Sequence, residues 1–312
     1  MSTQDISRTQ AWVMASRPQT LPAAAAPVLV GTALAVHDGL FAPLPAFAAL
    51  VGALLIQIGT NFANDYYDAV QGADTDAREG FTRVTAGGLI APETVKRAMY
   101  LTFATAIVLG TYLVYVGGVP ILVIGLLSVA SGIAYTGGPY PLGYHGLGDL
   151  FVFVFFGLVA VVGTYYVQAV SLLAAPLTVG IPPETVPITA ILASLPIAAI
   201  STDILVVNNV RDREEDATTG KRTLAVRYGY GFARAEFVVM LALAYAVPVL
   251  LWTRAGFDWF VLLPLLSMPF AARIAQTMLN ETTGAALNPA LEDTGKLLAL
   301  YAVAFSVGLV LA

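Results

Sequence analysis

The chain has 312 residues, of which 58% are hydrophobic and only 11% are charged, with a formal net charge of −5. A soluble domain is usually about 25% charged, so the composition excludes an ordinary soluble protein, and nothing in the charge favours a nucleic-acid partner. The absence of cysteine excludes disulfides and Cys-ligated metals, and the wide separation of His37 and His145 argues against a histidine-rich metal site.

Apolar stretches recur along the whole chain, each near the roughly 20 residues that a helix needs to cross a bilayer. We predict an all-α, polytopic membrane protein with about nine transmembrane helices, forming a single domain over residues 1–312. The polar stretch before the first span lacks a cleavage pattern, so this span is expected to be retained. The predicted spans lie at 20–37, 43–66, 94–116, 119–136, 148–174, 185–208, 232–252, 258–279 and 295–312.

The distribution of basic residues supports this map of the spans. With the N-terminus in the cytoplasm, all of the 15 Lys and Arg residues except Arg254 fall on the cytoplasmic side. This asymmetry follows the positive-inside rule, and one missing span would disrupt it. We therefore predict a multi-pass protein of the cell membrane whose N-terminus faces the cytoplasm.

Two predicted cytoplasmic connections, at about 64–93 and 208–231, are long and polar, and each opens with an Asn/Asp cluster. Within each cluster the carboxylates are three or four residues apart, a spacing that places them on one face of a helix. Carboxylate and amide oxygens suit Mg²⁺, which takes one or two carboxylates together with substrate phosphate oxygens. The alternative is that these residues are only solvated helix ends. The clusters comprise Asn64, Asp65 and Asp68, and Asn208, Asp212 and Asp216.

Other ionisable residues near the two clusters are further candidates. Arg83 follows the first cluster, and Lys221 and Arg222 follow the second. They could neutralise a leaving diphosphate, or they could serve only membrane topology. Asp203 lies inside the sixth span, where an ionisable residue is costly and is by default a functional hypothesis. It could orient an acceptor or take up a proton, or it could be a structural residue inside the bundle.

The motifs Asn64-Asp65-x-x-Asp68 and Asp212-x-x-x-Asp216 resemble those of the UbiA superfamily of intramembrane aromatic prenyltransferases. Further segments resemble the branch that prenylates 1,4-dihydroxy-2-naphthoate. Pro139 stands where the enzymes of the 4-hydroxybenzoate branch carry a lysine. The segments that carry the closer resemblance are 17–22, 61–74, 135–142, 208–212, 220–224 and 287–288.

This resemblance implies nine helices around a central cavity that is open to lipid, with the two polar loops as a cytoplasmic cap. A polyprenyl diphosphate would lie along the apolar walls, with its head group at Mg²⁺ under the cap. Transfer to 1,4-dihydroxy-2-naphthoate would release CO2 and diphosphate and give a demethylmenaquinone. The expected metal ligands are Asp65, Asp68, Asp212 and Asp216, with Asp203 as a further catalytic residue and Asn64, Arg83, Asn208, Lys221 and Arg222 as head-group ligands.

Alternative functions remain open from the sequence. Another prenyltransferase of the superfamily would act on a different acceptor, such as homogentisate or a glycerol-phosphate lipid. A divalent-cation transporter could also carry acidic residues at helix ends, but it should place polar groups through the depth of the membrane. A non-catalytic scaffold gives no reason for two matched Asn/Asp clusters.

Overall fold

The computed structural model describes residues 6–70, 84–85 and 87–312, and all regular secondary structure within these ranges is helical. The predicted all-α membrane architecture is therefore confirmed. The helices are α1 (Arg8–Ser16), α2 (Leu21–His37), α3 (Pro43–Val70), α4 (Pro92–Ala134), α5 (Gly148–Leu173), α6 (Ile188–Arg211), α7 (Arg213–Thr218), α8 (Leu224–Arg254), α9 (Trp259–Asn280) and α10 (Gly284–Leu311).

Two of these helices contain segments of a different helical type. A π-helical segment, Phe153–Val159, lies within α5, and the first part of α9, Trp259–Ser267, is a 3₁₀ helix. Short 3₁₀ turns also precede α2 and α5, at Pro18–Thr20 and Leu142–His145.

Eight segments of the described chain are long and apolar enough to cross a bilayer, and α4 is long enough to cross it twice. Its 43 residues correspond to about 65 Å of helix, against about 30 Å of hydrocarbon core. The helix breaks at Gly118, whose φ of 67° and ψ of −153° are not helical. The break falls between the predicted spans 94–116 and 119–136, so α4 contains both, and the prediction of about nine spans is confirmed.

Small side chains allow the central helices to approach closely. In α2 and α6 the alanines Ala33, Ala35, Ala198 and Ala199 are buried, and Gly157 of α5 packs directly on the backbone of α6. Close packing of small residues is a main source of helix association in lipid, where apolar burial contributes little. The principal core is formed by α2, α5, α6, α8, α9 and α10, whereas α3 packs mainly along α4.

The two Asn/Asp clusters lie at the same end of the bundle, which we call the cap end. The first cluster lies within α3, which continues to Val70, and the second spans the end of α6 and the beginning of α7. Both polar segments were predicted as loops, at about 64–93 and 208–231. The structure corrects these boundaries, because both segments begin as helix and the second also contains α7 and the start of α8.

Helix α1 was not predicted, and it packs against α3 at the cap end. The Trp12 ring meets the Phe62 ring edge-on, with 5.7 Å between the centroids. The Asn61 side-chain amide donates a hydrogen bond of 2.9 Å to the Ser16 carbonyl oxygen. A capping box of Ser7 and Gln10 begins the helix, so the segment before the first span is ordered by local and tertiary contacts.

Candidate active-site cavity

A large cavity of about 1180 Å³ opens between the helices and reaches the cap end of the bundle. Its volume exceeds the range of about 300–1,000 Å³ that is usual for small-molecule sites, as a long ligand would require. Most of its lining is apolar. Its polar end is lined by residues of the two predicted clusters and by the nearby lysine. These residues are Asn64, Asp68, Asn208, Asp212, Asp216 and Lys221.

The helical phase of α3 decides which side chains of the first cluster reach the cavity. Asn61, Asn64 and Asp68 recur at helical spacing and line it. The Asp68 carboxylate accepts a hydrogen bond of 2.9 Å from the Tyr144 hydroxyl. The side-chain oxygen of Asn64 accepts one of 2.9 Å from the Thr136 hydroxyl.

Asp65 shares a helix with these residues but is turned towards Thr85 and not towards the cavity. One carboxylate oxygen of Asp65 accepts two hydrogen bonds from Thr85, at 3.1 Å from the backbone nitrogen and 2.5 Å from the hydroxyl. Asp65 is 2% exposed and does not line the cavity. Its role as a metal ligand stays a prediction.

Arg211 organises the second cluster and was assigned only a topological role from the sequence. Its guanidinium donates to both carboxylate oxygens of Asp212, at 2.6 and 2.8 Å. It also donates to the side-chain oxygens of Asn208, at 2.8 Å, and Asn288, at 3.0 Å. The side chain of Arg211 is 2% exposed. Arg211 therefore fixes the orientation of Asp212 and connects α6 to α10, and the sequence signal for it was only its position beside Asp212.

On the prediction that Asp212 binds Mg²⁺, Arg211→Lys is expected to lower a Mg²⁺-dependent activity by about 10- to 100-fold, the usual cost of losing a group that orients a metal ligand. Lysine keeps the charge but not the fork that binds both oxygens of Asp212 and the two asparagines. Steady-state kinetics should show that a higher Mg²⁺ concentration is needed for half-maximal rate. The matched control is Arg213→Lys, since Arg213 pairs with the exposed Glu214. Equal Mg²⁺ dependence in both variants would contradict the positioning role of Arg211.

The remaining predicted residues are placed differently by the structure. Lys221 lines the cavity, with its Nζ atom 3.7 Å from Asp216 Oδ1 and 4.9 Å from the centroid of the Tyr144 ring. Arg222 does not line the cavity and is exposed. Arg83 lies outside the described residues.

Asp203 is fully buried within α6 and does not line the cavity. Neither of its carboxylate oxygens has a hydrogen-bond partner in the part of the chain that the structure describes. Glu236 of α8 is near enough to interact with it electrostatically. The structure does not bring Asp203 to the cavity, so its predicted contact with an acceptor stays a prediction.

The oxygen donors at the polar end fit a Mg²⁺ ion that is shared with a phosphate ligand. Within the described ranges, no three Asp, Glu, His or Cys residues converge into a site that could hold a metal by themselves. The cavity instead presents carboxylates from two sides, Asp68 on α3 and Asp212 and Asp216 on the second cluster. Mg²⁺ seldom occupies an all-protein cage and takes one or two carboxylates with phosphate oxygens.

Beyond the cap end the cavity is lined by apolar and aromatic side chains. Leu113, Leu122 and Ile124 of α4 face Phe155 and Phe156 of α5. Such walls suit a long hydrocarbon chain. Among the described residues, the charged groups of the lining are all at or near the cap end, and this distribution argues against the transporter alternative. These residues are Arg17, Asp68, Asp212, Asp216, Lys221, Glu292 and Lys296.

Comparisons with known proteins agree with this geometry. Residues 24–306 match the UbiA prenyltransferase family. A 1,4-dihydroxy-2-naphthoate octaprenyltransferase of Escherichia coli (strain K12) is 39% identical, covering 100% of this chain and 98% of the relative. One of Mycobacterium leprae (strain TN) is 34% identical, covering 96% of each chain.

A solved structure shares the fold. The structure of a UbiA homolog from Archaeoglobus fulgidus bound to DMAPP and Mg²⁺ has a TM-score of 0.60 and 15% sequence identity. The alignment covers 95% of this chain and 99% of that one.

Proposed function

The chain belongs to the UbiA prenyltransferase family, and we propose on that premise that it transfers a polyprenyl group from a polyprenyl diphosphate to 1,4-dihydroxy-2-naphthoate. The products would be CO2, diphosphate and a demethylmenaquinol, the reduced form of demethylmenaquinone, in menaquinone biosynthesis. The acceptor is supported by the names of full-length relatives at 31–39% identity.

One structural observation supports prenyl transfer from a diphosphate as the reaction class. Asp68, Asp212 and Asp216 from two separate parts of the chain lie at one end of a large cavity whose lining is mostly apolar. A prenyl diphosphate has the same division, with a charged head and a hydrocarbon tail. The head group would lie at the carboxylates together with Mg²⁺, and the tail would lie along α4 and α5.

Residues of both clusters would hold the diphosphate end. Asp68, Asp212 and Asp216 would bind Mg²⁺ with Asn64 and Asn208 beside them, and Lys221 would neutralise phosphate oxygens. Bound Mg²⁺ would supply Lewis-acid stabilisation of the departing diphosphate. Arg211 holds Asp212 in place before the substrate binds, so the Asp212 carboxylate does not have to reorient during the reaction.

The apolar walls have a chemical role as well as a binding role. When the bond from C1 of the prenyl group to the diphosphate breaks, positive charge develops on C1, and water would react with it. A cavity lined by Leu, Ile and Phe excludes water from that carbon. The faces of Tyr135 and Phe156, both in the lining, can stabilise positive charge by cation–π contact.

The eight apolar segments make this a multi-pass membrane protein. We propose the cell membrane as its location, with the cap end facing the cytoplasm. The support is the excess of basic residues at that end, where the spans flank Arg17, Lys96, Arg97 and Arg211.

The reaction is tested with purified protein in detergent, a polyprenyl diphosphate, Mg²⁺ and 1,4-dihydroxy-2-naphthoate. We expect a prenylated naphthoquinol and CO2 in equal amounts, measured by mass spectrometry and by release of ¹⁴CO2 from the labelled carboxyl group. Addition of EDTA should abolish both, and restored Mg²⁺ should return them.

Two further acceptors test the specificity for the naphthoate. Reactions with 4-hydroxybenzoate and with homogentisate should give no product under the same conditions. Product from either of these, without product from the naphthoate, would refute the acceptor and leave the metal–diphosphate chemistry standing. Diphosphate release without Mg²⁺ would contradict the metal's role.

A further inference from the structure

A second pocket, of about 330 Å³, lies on the outside of the cap end, beyond the active-site cavity. Its volume is at the lower end of the range for small-molecule sites. We call it the outer pocket. It lies between the end of α7 and the first turn of α8, and it is lined by Ala217, Gly220, Lys221, Arg222, Val226 and Arg227.

Hydrogen bonds to backbone carbonyl oxygens hold the turn that forms this pocket. Gly220 has a φ of +82°, which lets the chain reverse after α7. The Arg222 backbone nitrogen then donates to the Tyr144 carbonyl oxygen at 2.8 Å. Arg227 Nε donates to the Arg222 carbonyl oxygen at 3.0 Å. These contacts place both arginines at the outer pocket instead of in the cavity.

Only one of the three basic side chains at the outer pocket is paired with an acid within the described residues. Arg211, Arg213 and Lys221 each form an ion pair, with Asp212, Glu214 and Asp216 respectively. Arg222 and Arg227, in contrast, form no ion pair with any acidic residue of the described chain. Two guanidinium groups without carboxylate partners, next to a lysine, form a site for a multiply charged anion with phosphate oxygens.

Lys221 connects this pocket to the active site, because it lines both the cavity and the outer pocket. Its side chain is 14% exposed and lies between them. A lysine has a flexible stem and three donors, so it can contact an anion on either side.

We propose that the outer pocket binds inorganic diphosphate as it leaves the active site, with Lys221 contacting it first from the cavity side and Arg222 and Arg227 from outside. This inference rests on the proposed function, because that reaction releases diphosphate. A lipid head group would present the same phosphate chemistry. We favour diphosphate because Lys221 lines both the outer pocket and the active-site cavity, where the diphosphate would be released.

The test is a binding measurement, which needs neither catalysis nor acceptor. Purified protein in neutral detergent with EDTA is titrated with ³²P-labelled inorganic diphosphate at low salt. Arg227→Gln is expected to weaken binding about tenfold, since it removes one charge-assisted contact. Arg227→Lys, which keeps the charge, should recover most of the affinity.

Arg97→Gln is the matched control, because Arg97 is exposed at the cap end and lines neither pocket. It makes the same change in net charge and should leave binding unchanged. Equal affinity in wild type and Arg227→Gln, or equal weakening by Arg97→Gln, would overturn the proposal.

A parallel titration in nanodiscs separates the two sources of phosphate. Competition by anionic phospholipid, with no binding of inorganic diphosphate in neutral detergent, would assign the pocket to lipid and also overturn the proposal. Because diphosphate binding is measured without turnover, a negative result here leaves the prenyl-transfer assay as an independent test.

Discussion

Replacing Asp68 by Asn is expected to lower the rate of prenyl transfer by about 100- to 1,000-fold, the usual cost of removing one stabilising group from a preorganised charged site. Asparagine keeps the size and the side-chain oxygen that accepts the Tyr144 hydrogen bond at 2.9 Å. It loses the negative charge and one of the two equivalent oxygens. The fold should therefore survive while metal and diphosphate binding weaken.

Two control variants isolate the charge of Asp68 from its contacts. Tyr144→Phe removes the hydroxyl that donates to Asp68 and should cost far less than Asp68→Asn. Asp38→Asn changes a carboxylate at the opposite end of the bundle, where Asp38 accepts a hydrogen bond of 2.6 Å from Tyr165. It should keep most of the wild-type activity. The measurement is kcat and KM for the prenyl diphosphate across Mg²⁺ concentrations, and an Asp68→Asn enzyme with unchanged kinetics would rule out this role.

Replacing Gly118 by Val is expected to destabilise the protein by about 3 kcal/mol or more. The φ of Gly118 is +67°, which a β-branched residue adopts only with strain. A Cβ atom there would also collide with the backbone of Thr178, whose carbonyl oxygen accepts the Val119 N–H at 2.9 Å. The substitution therefore disrupts the turn between the two spans of α4.

Thermal unfolding in detergent measures this effect. Gly110→Ala is the control, because it lies in the same helix and an added Cβ would have no atom within 4 Å. Alanine favours a helix over glycine by about 0.5–1 kcal/mol, so the control should melt at or above the wild-type temperature. If Gly118→Val and Gly110→Ala have the same melting temperature, the turn at Gly118 does not contribute the expected stability.

The membrane spans could be predicted because bilayer thickness sets the length of each apolar run. The break between 116 and 119 was correctly located because Gly117, Gly118 and Pro120 interrupt an apolar stretch that is otherwise continuous. Helix α1 was missed because its nine residues are too short for a span. The capping box of Ser7 and Gln10 was the signal that could have revealed it.

The active site could be predicted only in part. Spacing identified the polar residues at the cap end, and the structure places Asp68, Asp212 and Asp216 around one cavity. Spacing did not show that Asp65 turns to Thr85, because α3 is packed by protein on more than one side near its end. In such a segment hydrophobicity does not reveal which face is interior. Spacing also could not show that Arg211 donates a hydrogen bond to Asn288, because the two residues are 77 positions apart in the chain.

The packing of α1 on α3 has a consequence for the attachment of purification tags. The Asn61 bond to Ser16 and the Trp12–Phe62 contact place the first helix beside Arg17, which lines the polar end of the cavity. A tag or fusion before α1 would therefore lie close to that polar end. Within α10, Asn288 contacts Arg211 at the cap end, whereas Gly308, near the other end of the helix, packs on Phe260 and Val261 at the start of α9. Immobilisation through the end of α10 would leave the cap end accessible to substrates.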